Sequence, residues 1–139
     1  MEQAAFSLKG YKFDKVELNF DDLENGDFKL DIEPSGVFVE KDKSYELTFV
    51  FKAIAVDDKS LNETPVVKIR CVAVFDFKNV NSFKDIPQYF YSNSIAILFP
   101  YIRAFVSTVT LQANIPPMII PTMNLSSLKA ELEKNTKVQ

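Results

Sequence analysis

The sequence has no histidine, one cysteine and three glycines, and each scarcity closes off a class of chemistry. Without histidine there is no Ser-His or Cys-His nucleophile pair, no His-ligated metal and no imidazole base. Cys71 forms no internal disulfide by itself and falls on the apolar side of an alternating segment, so a buried, inert thiol is expected. Three glycines leave no phosphate-cradling loop. Carboxylates do occur in adjacent pairs, Asp21-Asp22 and Asp57-Asp58, but both pairs sit in polar stretches that read as solvated turns. Perturbed titratable groups are what catalysis needs. The chain therefore reads as a non-enzyme, with no catalytic residue, no metal ligand and no cofactor.

Other absences bear on location and partners. No apolar run approaches the ~18 residues of a membrane span, so no membrane insertion is expected. The first residues, Met1 to Ala5, lack the basic and apolar regions of a signal peptide. With a single cysteine, this reads as a cytoplasmic protein. The formal net charge is −3 and the 16 basic residues are scattered without a stripe, which argues against nucleic acid as a partner.

What is present is aromatic. Thirteen phenylalanines and five tyrosines in 139 residues supply an aromatic core for one domain, residues 1–139, and leave some rings over for a surface. The first half alternates with the period of two that marks a strand. Phe6 to Phe20 changes parity twice, which bulges near Gly10 and near Asp14-Lys15 would reconcile. Asn25-Gly26 is a hairpin-type turn signal. Phe28, Leu30 and Ile32 share one face, and Pro34 places that strand at an edge or ends it. Tyr45, Leu47, Phe49, Phe51, Ala53 and Ala55 share a face of the next strand; Val67, Ile69, Cys71, Ala73, Phe75 and Phe77 share a face of the one after it.

The second half changes period. Ser82 to Tyr91 reads as a short helix divided by Pro87. In Tyr91 to Leu128, apolar residues recur at Ile95, Leu98, Phe99, Ile102, Val106 and Val109, the spacing of a helix face. A second set, Ile97, Tyr101, Ala104 and Leu111, lies on the opposite side. A helix apolar on two faces needs two partners: its own sheet and, for the second set, another subunit. Pro100 predicts a kink or a helix start a few residues earlier, and the helix ends by Asn114. Pro116, Pro117 and Pro121 then stiffen an extended crossover carrying Ile115, Met118, Ile119, Ile120 and Met123. A loop this apolar is either buried or binds something. Asn124 is placed to cap a last helix bearing Leu125, Leu128 and Leu132, and the tail from Lys134 to Gln139 reads as frayed. The sum is an α+β fold, a four-stranded antiparallel sheet (about 4–78) followed by helices and crossover (about 82–134) packed on one face.

Ala96-Ile97-Leu98-Phe99-Pro100-Tyr101-Ile102-Arg103 resembles the Asn-Ile-Leu-Phe-Pro-Tyr-Ala-Arg segment of SecB, the bacterial protein-export chaperone family, and the likeness runs without a gap to Leu128. Lys29-Leu30-Asp31-Ile32-Glu33 is similar to a Lys-Leu-Asp-Leu-Asp run in the same family. The resemblance implies the same α+β fold and a holdase for unfolded polypeptides. It places client contact at Phe28, Leu30 and Ile32 on the strand, Ile115, Met118, Ile119, Ile120 and Met123 on the crossover, and Leu125 and Leu128 at the last helix. It also implies a homotetramer, a dimer of dimers, with Ile97, Tyr101, Ala104 and Leu111 between subunits. Family members hand clients to the translocase motor ATPase through an acidic sheet surface. The corresponding positions here are Lys15, Asn19 and Lys68, a charge that opposes such docking. Two other readings stay open: a dedicated interaction protein for one partner, such as an antitoxin, and a carrier of small apolar ligands.

Overall fold

The computed structural model describes residues 5–20, 28–55, 65–115, 118–120 and 125–139. The turn at Asn25-Gly26, the two Asp pairs, Pro116, Pro117, Pro121, Met123 and Asn124 lie outside the described residues. The chain forms one sheet and two helices: β1 (Phe6–Leu18), β2 (Phe28–Val39), β3 (Ser44–Ala55), β4 (Pro65–Phe77), α1 (Tyr89–Gln112), α2 (Ser126–Lys134) and β5 (Thr136–Val138). The sheet order is β1-β4-β3-β2-β5, with β1 to β4 antiparallel neighbours and β5 parallel to β2.

Both bulges fall where the parity changes. The β1–β4 register slips between Leu8 and Gly10 and again between Phe13 and Lys15. Each slip absorbs one residue, so Phe6, Leu8, Tyr11, Phe13, Val16 and Leu18 all pair with the inward-facing residues of β4. Their inner face meets α1. Ile95, Leu98, Phe99, Ile102 and Val106 are buried there, and Val109 is half-buried.

Phe90 sits at the centre of a ring cluster. Its centroid lies 4.7 Å from Tyr45 and Phe77, 4.9 Å from Phe6 and 5.6 Å from Phe75. The crossings are steep, the edge-to-face arrangement that the ring quadrupole favours.

Several features differ from expectation, the five strands in place of four among them. The Ser82–Tyr91 segment is helical only as a 3-10 turn at Phe83–Asp85 before α1 begins. Helix α1 runs unbroken through Pro100 from a start at Tyr89. Pro100 and Ala96, whose carbonyl the proline leaves without a donor, are both exposed, so water can serve that group. Asn114, at φ 62°, stops the helix: its N–H donates to the Leu111 carbonyl and that of Ile115 to the Thr110 carbonyl, the pair of bonds that closes a helix through a left-handed residue. Helix α2 has Leu125, not Asn124, in the cap position.

The tail is not frayed; it supplies the fifth strand. Gly36, Val37 and Phe38 pair with Thr136, Lys137 and Val138. Tyr45 reaches the same place from the next strand, its hydroxyl 2.6 Å from Thr136 Oγ1, which in turn donates to the Leu132 carbonyl at 2.7 Å. A glycine at position 36 makes this possible, because a Cβ there would overlap the Tyr45 ring and hydroxyl. Strand β2 also continues straight through Pro34, whose missing donor is tolerated because its other side is an edge.

Burial raises the Tyr45 and Tyr91 hydroxyls above their ordinary 10.0, and burial with Asp14 nearby pushes the Cys71 thiol from 9.0 up to about 11. All three are neutral when folded and ionise more easily when unfolded. Their stabilisation is full below about pH 9 and is lost as pH rises through the window from 9 to 11 and above. Melting temperature by circular dichroism is expected to hold from pH 7 to 8.5 and fall steadily beyond, with Cys71→Ala removing the earliest part of the fall.

Candidate functional site

The crossover is held by a polar stripe on α1. Arg103 Nε donates to the Ile120 carbonyl at 3.1 Å, Ser107 Oγ donates to the Met118 carbonyl at 3.1 Å, and the Met118 N–H donates to Thr110 Oγ1 at 2.9 Å. Positions 103, 107 and 110 follow the four- and three-residue steps of one helix face. Thr110 is itself buried, and its hydroxyl donates to the Val106 carbonyl at 2.8 Å. These bonds give backbone groups of Met118 and Ile120, in the described part of the crossover, partners that no strand supplies. The stripe was visible in the sequence as a helical repeat of Arg, Ser and Thr, but nothing in the sequence shows that it faces the loop.

Fixing the backbone sets which side chains point out. Ile119 is 77% exposed, whereas Ile120, next to it, is 1% exposed and packs in the core. The Ile120 side chain therefore belongs to the core, where the sequence expectation made it a client contact. Ile115 and Met118 are half-buried. On β2, Phe28 and Leu30 are half-buried against the core, and Ile32, 7% exposed, belongs mainly to it. Leu125 and Leu128 are half-buried where α2 packs over β2. Pro100, Arg103, Ala104, Ser107, Ile119 and Ile120 line an open depression of about 280 Å³ beside the crossover. Beyond the β5 pairing, Phe28–Glu33 of β2 has no strand neighbour on its outer side among the described residues. A polypeptide could pair with that edge.

The second apolar face of α1 is open. Ile97, Tyr101, Ala104 and Leu111 are all exposed, Leu111 by 57%. Tyr101 packs on Tyr11 of β1 at 4.6 Å, and Tyr11 and Val16 extend the exposed apolar surface onto the sheet edge. By length and composition alone α1 could cross a membrane, the one such helix among the described residues, a test that a core helix also passes. Its inner face is already taken by the sheet. No cluster of metal-ligating side chains occurs among the described residues.

A five-stranded sheet with two helices on one face is the SecB-like α+β architecture. A family model described as preprotein translocase subunit SecB matches residues 16–135, and the chain belongs to that family. It is 28% identical over 137 residues to an uncharacterized protein of Methanocaldococcus jannaschii, covering 95% of this chain and 87% of that one. It is 29% identical over 101 residues to the protein-export protein SecB of Neorickettsia sennetsu, covering 69% of this chain and 61% of the relative. Among solved structures, the SecB-like chaperone Rv1957 of Mycobacterium tuberculosis, in complex with a peptide from the HigA1 antitoxin, matches with a TM-score of 0.69. The alignment covers 86% of this chain and 88% of that one at 13% identity, so the likeness is one of fold.

Proposed function

We propose that this protein is a holdase that binds extended, apolar segments of non-native polypeptides along β2 and the crossover. Membership of a chaperone family supports the reading, and one observation carries it: Ile119 stands 77% exposed on a backbone tethered by Arg103, Ser107 and Thr110. An aliphatic side chain held rigidly in water is preorganised for a partner, because little is lost in ordering it. Phe28 and Leu30 on β2, Met118 on the crossover and Leu125 and Leu128 at α2 add partly exposed apolar surface, and methionine adapts to varied clients. Main-chain pairing along Phe28–Glu33 would add affinity without reading sequence. No bond is made or broken in this function.

In the same proposal the open face of α1, with Tyr11 and Val16, packs against a second copy, as an isologous contact would require. The assembly is a tetramer, and light scattering gives its mass. A second reading is favoured by the M. tuberculosis complex: one dedicated client segment, such as part of an antitoxin, in place of a broad range.

The test is suppression of aggregation of two unrelated unfolded proteins. Burying an isoleucine is worth about 1.5–3 kcal/mol, so Ile119→Asp is expected to weaken client binding about 10- to 100-fold with an unchanged melting temperature. Protection of neither protein by the folded wild type would exclude the general holdase and leave the dedicated-partner reading.

A further inference from the structure

The outer face of the sheet, opposite the helices, gathers cations that are far apart in sequence. The β1–β4 register sets Lys15 opposite Arg70, and the β3–β4 register sets Lys68 opposite Lys52. Positions 68 and 70 are consecutive outward positions on β4, so the two pairs are adjacent rows. With strands about 4.8 Å apart, all four charges lie in a patch roughly 10 Å across. Like charges directly opposite each other destabilise a sheet. Acids share the face with them, among them Asp31, which stands directly opposite Lys52. Lys52 Nζ meets Glu33 Oε1 at 3.3 Å. Arg70 Nε lies 3.5 Å from Asp14 Oδ1, but it is shielded from solvent and makes no hydrogen bond. Lys15 and Lys68 form no ion pair among the described residues. Glu17 stands opposite Lys68 at the rim. These side chains and Val50 line an open depression of about 200 Å³.

We propose that this depression docks an acidic segment of a partner protein. Arg70, whose Nε turns to Asp14 but whose side chain is 37% exposed, contributes a guanidinium charge, and Lys15, Lys52 and Lys68 surround it. The shape of the field selects a polypeptide over nucleic acid. Glu17 and Glu33 border the cations, and the chain as a whole carries −3, so a continuous polyphosphate meets repulsion at the rim. An extended peptide with carboxylates on alternate residues, about 6.6 Å apart, can reach the cations and set neutral residues against the acids. The site lies on the face away from α1 and the crossover, so it can be filled while a client is held.

The experiment is fluorescence anisotropy on the intact protein with a labelled peptide of alternating Glu and Ser, its Gln-for-Glu counterpart and a short oligothymidylate. The acidic peptide is expected to bind about tenfold or more tighter than the amide peptide and to weaken as salt rises. Lys15→Glu and Lys68→Gln are each expected to weaken it about fivefold or more, while Ile119→Asp leaves it unchanged. Lys15→Glu turns a like-charged cross-strand pair with Arg70 into an opposite-charged one, so the fold survives the change. Equal binding of the amide peptide, binding of the oligothymidylate as tight as that of the acidic peptide, or indifference to both lysine changes would each overturn the proposal. So would binding that emerges only after Asp21, Asp22, Glu24 and Asp27 become amides, which would give the site to the chain's own acidic segment.

Discussion

Phe90→Ala is expected to cost about 3–5 kcal/mol of stability. Phe90 is fully buried and touches rings from three strands at once: Phe6 of β1, Tyr45 of β3, and Phe75 and Phe77 of β4. With Tyr89 on Phe6 and Tyr91 on Tyr45, it is one of the rings through which the start of α1 grips the sheet. Truncation removes its transfer free energy and leaves a cavity walled by aromatic rings, which are stiff and collapse poorly. Domains of this size are stable by only about 5–15 kcal/mol, so the variant should sit near its threshold. Urea unfolding of wild type and variant gives the difference directly from the two midpoints. A loss under about 1 kcal/mol would show that the ring cluster is not the anchor of α1.

Gly36→Ala should cost about 1–3 kcal/mol through overpacking, and about 1 kcal/mol more if the Tyr45–Thr136 hydrogen bond is lost. The added methyl occupies the space of the Tyr45 hydroxyl and ring edge. Tyr45 has little room to yield, because Phe90 lies against its ring at 4.7 Å. The easier release is for β5 to leave the edge of β2, which would undo the bonds from Gly36 N–H to Asn135 and from Gln139 N–H to Phe38. Hydrogen exchange should therefore rise first at Lys137, Val138 and Gln139. Tyr45→Phe in the same chain is expected to restore part of the lost stability by removing the hydroxyl in conflict. If the double variant were no more stable than Gly36→Ala, the clash with Tyr45 would not be the cause.

Much of the fold was legible because alternation and helical spacing record which side of each element meets apolar neighbours. The buried faces of β3, β4 and α1 follow that record closely, with Ala55 and Val109 only half-buried and Val66 and Val72 buried besides, and even the two bulges in β1 are written as changes of parity. The candidate site was legible only as a set of apolar residues. Ile119 and Ile120 are the same residue type side by side, and periodicity says nothing about which one a tethered loop turns outward.

The sequence by itself determined the strand-then-helix order, the apolar faces, the absence of histidine chemistry and the resemblance to the SecB family through residues 96–128. Each depends on the identity of residues close together along the chain. Tertiary structure alone decided the rest. It turned a polar tail into β5, because Gly36 and Tyr45 open a place for Thr136 some 90 to 100 residues away. It separated Ile119 from Ile120 through bonds from α1. It brought Lys15, Lys52, Lys68 and Arg70 together, since only the register of three strands makes neighbours of residues spread over that much chain.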